Sequence, residues 1–295
     1  MFRSVIRVLA ALVLVAALAA CGDDTTETTD TTAGPTTTAD DESTTTEAPT
    51  TTEDAAELVD VAVYFARGEA LATGGRSVEP PAVAREAMEA LLAGPNDLEV
   101  ELGMFTVIPE GTELLDIDVA DGLAIVDLTG EFETGGGSLS VIARVAQVVY
   151  TLTQFDTVDT VDIRIDGVAV EAISGEGLIA TGLTRDDFRD VTPLILVESP
   201  TPGAEVGPTM TVTGTSNTFE ATVQWLVTDW DGLIVLEGFT TATAGTGTWG
   251  TFAFDVDLSE LDPLYDRITL IVFEESAEDG MPRLEYEVPL TLVTG

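Results

Sequence analysis

The stretch from Ser138 to Gly167 constrains the fold of this 295-residue chain more than any other. In its first half, polar residues recur every three or four positions among apolar ones, and these polar residues are Arg144, Gln147, Thr151 and Gln154. On a helix this spacing forms one narrow polar stripe on an otherwise apolar surface. We therefore predict a mostly buried helix from Ser138, held by packing because its many valines are weak helix formers.

The second half of the same stretch has a period of two. Val161, Ile163 and Ile165 alternate with charged residues, which is typical of a strand that is buried on one face. Asp166-Gly167 favours a tight hairpin turn into the residues that follow. The chain is thus organised around a buried helix that leads into a sheet, and this stretch contains no evident catalytic group.

Apolar periodicity predicts an α+β N-terminal domain at residues 58–192, with helices packed on a mixed sheet. A polar loop is expected up to Glu79, and a helix should begin at Pro80-Pro81 and stop at Gly94-Pro95. The expected strands cover 59–66, 105–108, 114–119 and 123–128. The last two should be joined by a hairpin turn at Asp121-Gly122.

The sequence from 193 to 295 has a different pattern of apolar residues and shows no convincing helix. Short strands separated by turns are expected at 194–197, 210–215, 222–228, 233–239, 251–256, 268–273 and 284–292. About seven strands in about 100 residues predict an all-β immunoglobulin-like sandwich. Pro289 indicates an edge or a bulge in the last strand, and Trp225 is a candidate to fill the middle of the sandwich.

The N-terminus predicts export and anchoring. Residues 1–20 have two early arginines and then an apolar run too short for a transmembrane helix, which is typical of a signal peptide. Leu18-Ala19-Ala20-Cys21 resembles a bacterial lipobox, which implies that Cys21 is lipidated and that the protein is held on the extracytoplasmic face of the cell membrane. Residues 21–57 are rich in Thr, Asp and Glu, so we expect a disordered spacer whose threonines could carry O-linked sugars.

Composition excludes several classes of function. The formal net charge is −42, and the eleven basic residues are all Arg and form no cluster, which argues against binding to nucleic-acid phosphates. Without His, Lys or a second Cys, the common nucleophilic mechanisms lack a base or a nucleophile. Only carboxylate pairs remain, Asp116 with Asp118 and Asp127 with Glu131, and no aromatic cluster surrounds them. We predict no catalytic residue, no cofactor and no small-molecule substrate.

Acidic loops in the second half of the chain suggest calcium binding as an alternative function. Two runs are rich in oxygen ligands of the kind that Ca²⁺ prefers: Asp255, Asp257, Glu260, Asp262 and Asp266, and then Glu274, Glu275, Glu278 and Asp279. Neither run has the spacing of an EF-hand. Solvated carboxylates are expected in so acidic a chain, so we predict no metal site.

Aromatic residues near predicted turns are candidates for a partner surface. They are Phe219, Trp230 and Trp249. The alternative is that these side chains are buried in the core beneath loops.

Short motifs in both halves resemble known domains. Ala90–Pro95, Ile108–Thr112 and Ala124–Leu128 with Glu131-Phe132, followed by the stretch from Ser138, are similar to a GerMN domain of sporulation and spore germination lipoproteins. Val197–Gly203, Gly214, Asn217–Ala221 and Gly250–Phe252 are similar to the immunoglobulin-like domain of bacterial spore germination proteins. The resemblance implies an envelope protein with no known catalytic residues, and the GerMN family also occurs in actinobacterial lipoproteins.

These observations predict a non-catalytic, membrane-anchored envelope lipoprotein that acts as a binding or scaffolding module, with an envelope protein as its partner. The alternative is a wall protein that binds or hydrolyses cell-wall polysaccharide.

Overall fold

The computed structural model describes residues 58–174, 177–261 and 266–293. The predicted signal peptide, Cys21 and the spacer at 21–57 lie outside the described residues. Within the described part of the chain, no helix is long and apolar enough to cross a membrane.

The N-terminal part combines helices with small sheets. Its strands are β1 (Val59–Arg67), β2 (Ala70–Val78), β3 (Met104–Phe105), β4 (Leu114–Ala120), β5 (Gly122–Leu128), β6 (Val158–Ile165), β7 (Val168–Ala169), β8 (Ala172–Ile173) and β9 (Leu178–Ile179). Its helices are α1 (Val83–Leu92), α2 (Asp97–Glu101) and α3 (Ser138–Leu152).

The first sheet has the order β2-β1-β3, so β1 is central, as the sequence predicts. The loop expected up to Glu79 is wrong, because Ala70–Val78 form β2 and pair with β1 along its whole length. The small residues at the centre of β2 give no apolar alternation. They are small because other segments approach closely: a Cβ at Gly74 would overlap the Glu99 carboxylate, and one at Gly75 would overlap Thr201.

Three residues of the predicted polar stripe point into the protein and bind the edge of β1: Gln147 and Thr151 on α3, and Gln154 just beyond its end. The Gln154 side chain accepts from the Ala62 amide and donates to the Ala62 carbonyl, both at 2.7 Å. Gln147 donates to the Tyr64 carbonyl at 2.9 Å, and Thr151 accepts from the Tyr64 amide. Since β3 pairs with β1 only at its end, these side chains supply the hydrogen bonds that a neighbouring strand would make.

The second sheet has the order β4-β5-β6-β7, with β5 and β6 parallel and the other pairs antiparallel. The crossover from β5 to β6 contains α3, as expected for parallel neighbours. Both predicted hairpin turns, Asp121-Gly122 and Asp166-Gly167, have two residues with positive φ, as a type I′ turn requires. The strand expected at 105–108 is shorter, and α2 was not predicted.

The C-terminal part is all-β apart from short 3₁₀ turns. Its strands are β10 (Ile195–Ser199), β11 (Glu205–Val206), β12 (Thr209–Ser216), β13 (Thr222–Asp229), β14 (Ile234–Thr241), β15 (Gly250–Asp257), β16 (Arg267–Glu275) and β17 (Pro282–Leu292). They form sheets of order β10-β12-β15 and β11-β17-β16-β13-β14. All seven expected strands are present, and β11 is additional.

Pro289 and Trp225 occupy informative places in these sheets. At Pro289, β17 has a strand neighbour on one side only, because β11 pairs with it no earlier than Thr291, as expected for an edge position. The Trp225 ring stacks on Phe254 of the other sheet, with centroids 5.3 Å apart. It therefore bridges the sandwich, but it is half-buried.

Candidate functional site

A polar network joins the two parts of the chain, and Arg185 lies at its centre. The Arg185 guanidinium donates to the Glu198 carboxylate in β10 and to Thr153 Oγ1 at 2.9 Å. It also lies over the rings of Tyr64 and Tyr150, 5.6 and 4.7 Å from their centroids. Arg185 begins a 3₁₀ turn, Arg185–Val191, that the preceding Thr184 caps with a bond to Asp187.

Tyr64 completes the network from β1. Its hydroxyl donates to Glu198 at 2.7 Å. Burial, reinforced by the adjacent Glu198, raises the pKa of Tyr64 well above its ordinary value. Burial alone would lower the pKa of Arg185, but Tyr64 and Glu198 raise it. The phenol therefore stays protonated and the guanidinium stays charged, so neither of these two side chains can act as a base or a nucleophile, and the network can hold the two parts together.

A second set of contacts between the two parts surrounds Thr73 in β2. The Thr73 amide donates to the hydroxyl of Tyr286 in β17, and the Thr73 hydroxyl donates to the Val197 carbonyl, at 2.9 and 2.8 Å. Arg67 lies over the Tyr286 ring at 4.7 Å. A polar cleft of about 550 Å³ lies beside Arg185 and Glu198, whose charges are already compensated by each other. Sequence reasoning missed this joint because its partners are far apart in the chain and follow no local pattern.

Three of the four candidate catalytic carboxylates have partners within the protein. Asp116 and Asp118 are exposed, and Asp116 pairs with Arg85 at 3.0 Å. Leu115 is also exposed, at the point where the β4–β5 register shifts between Leu114 and Asp116. Asp127 accepts from the Gly167 amide at 2.9 Å. A hydrogen bond from Thr129 lowers the pKa of Glu131, the direction opposite to that a general acid needs.

Within the described residues, the acidic loops do not converge on a metal site. Among the described residues, no group of three Asp, Glu, Cys or His side chains could hold an ion, and Asp262 lies outside those residues. Several of these carboxylates accept bonds from the protein instead. Asp257 caps Ser259, which lowers the pKa of Asp257, and Glu274 accepts from the Phe219 amide at 2.6 Å and pairs with Arg283.

The three candidate aromatics lie at two ends of the sandwich. Phe219 is half-exposed just before β13, while Trp230 follows β13 and is 72% exposed. Because β13 has eight residues, these positions are about 26 Å apart. Trp249 lies near Phe219, since its neighbour Gly250 pairs with Ser216 in β12. It is half-buried beneath the Arg189 guanidinium, 4.7 Å from the ring centroid.

A further apolar surface, which sequence reasoning missed, lies on the outer face of the five-stranded sheet. We call it the β14 face, and its residues are Leu226 on β13, Ile234 and Phe239 on β14, and Ile271 and Phe273 on β16. Register places Phe239 and Phe273 on either side of Gln224, which alternates with the core residue Val223. Phe239 is 74% exposed, and a shallow groove of about 590 Å³ lies between it and Phe273. The signal in the sequence was apolar residues on both faces of β13, β14 and β16.

Family comparisons define the class of protein. Residues 62–171 match the family Germane, described as sporulation and spore germination, and residues 194–281 match Gmad2, the immunoglobulin-like domain of bacterial spore germination. The chain therefore carries a GerMN-like domain followed by a Gmad2 immunoglobulin-like domain, and both resemblances read from the sequence are confirmed. Neither description names an enzyme.

Three solved structures are similar to parts of the chain. A candidate lipoprotein from Clostridium perfringens is 20% identical, with a TM-score of 0.34, over 46% of this chain and 93% of its own. The first GerMN domain of the sporulation protein GerM from Bacillus subtilis is 25% identical, with a TM-score of 0.35, over 43% of this chain and 98% of its own. The tandem GerMN domains of the same protein are 21% identical, with a TM-score of 0.38, over 70% of this chain and 64% of their own. No curated protein matches the chain.

Proposed function

We propose that the chain is a non-catalytic, lipid-anchored module of the cell envelope that binds a protein partner in a sporulation or germination type of process. One observation carries the proposal: the second domain exposes the apolar residues of the β14 face, whereas three of the four candidate catalytic carboxylates make bonds within the protein. A large exposed apolar patch marks an interaction surface. The domain families support the process, and the lipobox supports the anchor.

Cross-linking in intact cells tests partner binding. A photoreactive phenylalanine analogue would replace Phe239 on the β14 face or Phe105, which is exposed beside a second apolar cleft in the first domain. Leu115, exposed on β4, is the control position. We expect one protein adduct, identified by mass spectrometry, from an apolar site and none from the control. Identical adduct patterns at all three positions would contradict specific binding.

The alternative, a wall protein that binds or hydrolyses polysaccharide, is favoured by one observation, the exposed Trp230 ring. Incubation with purified cell wall followed by sedimentation separates the two functions. A wall-binding protein would enter the pellet and lose this property in Trp230→Ala, whereas the protein-binding module we propose would stay in solution.

The anchor gives a further prediction. Cys21→Ser removes the thiol that a lipobox requires, so we expect the protein to leave the membrane fraction or to stay unprocessed. Cell fractionation and the mass of the mature chain measure this. Unchanged membrane retention with normal processing would exclude the lipobox.

A further inference from the structure

We propose that the Gmad2 domain captures its partner by adding an extended, basic segment of that partner to the free edge of β14. This inference rests on the proposed protein-binding function and specifies the surface and the chemistry of the ligand. Three features of the described residues carry it: an open strand edge, an adjoining apolar face and a set of acidic residues with no basic residue among them.

The edge of β14 is open. In the sheet order β11-β17-β16-β13-β14 it is the last strand, and it pairs only with β13. Within the described part of the chain, no other backbone hydrogen bond reaches Ile234–Thr241. Eight residues span about 27 Å, and alternate amides and carbonyls along them point away from β13.

The opposite edge of the same sheet is protected, which makes the exposure of β14 specific. There, β11 covers the end of β17, and β17 contains Pro282 and Pro289, which have no amide to donate. Proteins commonly guard an edge with prolines, charges or a covering segment. β14 contains no proline, and its one charged residue is Glu237.

The β14 face would receive the side chains of an added strand. Phe239 and Ile234, both on β14, are 74% and 51% exposed and lie on the outer side of the sheet, opposite Gln224 and Thr228. A strand beside them would place every second side chain on this face, where an apolar residue would cover Phe239. The partner segment should therefore be apolar at the position that lies beside Phe239.

Charge selects a further position on the same face of the partner, because Glu237 lies two residues before Phe239 in β14 and shares its outer face. No basic residue occurs between Arg189 and Arg267, a stretch that includes all of β10 to β15. Glu237 and Glu275 line the groove beside Phe239. A second copy of this chain would bring like charges together at the edge, and the acidic segment at 21–57 has almost no large apolar residue. A strand that places an apolar residue beside Phe239 and a Lys or Arg two positions along, beside Glu237, is the complementary occupant.

The test uses a peptide as the probe. A fluorescent nine-residue peptide in which Val and Arg alternate on one face, separated by Thr (Val-Thr-Arg-Thr-Val-Thr-Arg-Thr-Val), is titrated with the purified full-length lipoprotein in non-ionic detergent. Beside it we titrate an isomer in which both Arg residues lie on the face opposite to the Val residues. Two further versions carry N-methyl groups on one or the other alternate set of amides. We expect the alternating peptide to bind at least about tenfold more tightly than the isomer. One N-methylated version should lose binding and the other should keep it, because only one edge of the peptide faces β14.

Variants locate the site. Glu237→Lys and Phe239→Ser should each weaken peptide binding by about tenfold or more. The matched controls are Glu285→Lys, exposed on β17, and Leu115→Ser, exposed on β4, and they should change it less than about twofold. Circular dichroism and thermal unfolding verify that each variant is folded.

Several outcomes would overturn the inference. Equal binding of the isomer, equal effects of both N-methylated versions, or an equal loss in Glu285→Lys would show general attraction to an acidic protein. A dimer that Phe239→Ser dissociates in sedimentation velocity would make a second copy the occupant. If the peptide does not bind but cross-linking from Phe105 captures a protein, strand addition fails while the proposed function stands.

Discussion

Among individual residues, Glu198 is the one whose removal should cost most at the joint between the domains. It receives the Arg185 guanidinium and the Tyr64 hydroxyl, and both ionic side chains are about 20% exposed. Glu198→Leu would leave a largely buried cation and a buried phenol without their partner. We expect the free energy of unfolding to fall by about 3 kcal/mol, measured by urea denaturation. The control, Glu285→Leu on the surface of β17, should change it by less than about 0.5 kcal/mol, and an equal loss in both would contradict the role of Glu198.

Three buried tyrosines give a prediction on pH. Burial raises the pKa values of Tyr64, Tyr150 and Tyr286 above the ordinary value of 10.0. Since the folded pKa is raised, the stabilising contribution is complete below pH 10 and is lost as the pH rises toward the folded pKa values. We expect unfolding above about pH 10, with the absorbance of ionised tyrosine at 295 nm appearing together with the loss of tertiary structure.

A matched variant checks the cause of this alkaline unfolding. Tyr64→Phe keeps the ring against Tyr150 but cannot ionise, so its stability should depend less steeply on pH above 10 than that of the unchanged chain. Ionisation of all tyrosines near pH 10 with no loss of stability would contradict the prediction.

At the scale of elements, the segment that follows α3 binds β1 through Gln154. Gln154→Ala would leave the amide and the carbonyl of Ala62 without partners. A buried backbone group without a hydrogen bond costs about 1–3 kcal/mol, so we expect a loss of about 2–4 kcal/mol in the free energy of unfolding. Gln224→Ala is the control, because Gln224 makes one 3.2 Å bond to an exposed amide on the outer face. Equal losses would mean that the side chain of Gln154 does not act as a strand substitute.

The elements also show what local sequence can predict. Period and turn chemistry identified α3, both Asp-Gly hairpins and all seven strands of the second domain, because each depends on neighbouring residues. β2 was missed because its small residues leave space for side chains that are distant in the sequence, Glu99 and Thr201. The spacing of the α3 stripe was visible, but its contact with β1 depends on a sheet edge that local periodicity does not reveal. The Arg185 joint and the β14 face were missed for the same reason.

At the scale of the whole molecule, the domain boundary near Thr192-Pro193 stays a prediction. Fragments of residues 58–192 and 193–295 should each fold, because each part has its own apolar sequence pattern and enough length for a core. Each should be less stable than the whole, because separation exposes Tyr64 and Tyr286 and breaks the Glu198 and Thr73 contacts. Heteronuclear NMR and thermal unfolding measure both points. A disordered spectrum for either half, with a well-dispersed one for residues 58–295, would show that the domains are not independent.

The hydrogen bonds along β1 and β2 also set the time at which the molecule can finish folding. Gln147 and Gln154 reach β1 from 83 and 92 positions further along the chain, and Tyr286 reaches Thr73 from 213 positions further. A chain that emerges N-terminus first therefore gains the β1 contacts once Gln154 has arrived, but the Thr73 contact only when β17 arrives. Contacts between residues so far apart in the sequence slow folding and leave an aggregation-prone intermediate during synthesis. Folding should accordingly be completed only after synthesis ends, when the last strand can close over the first hairpin.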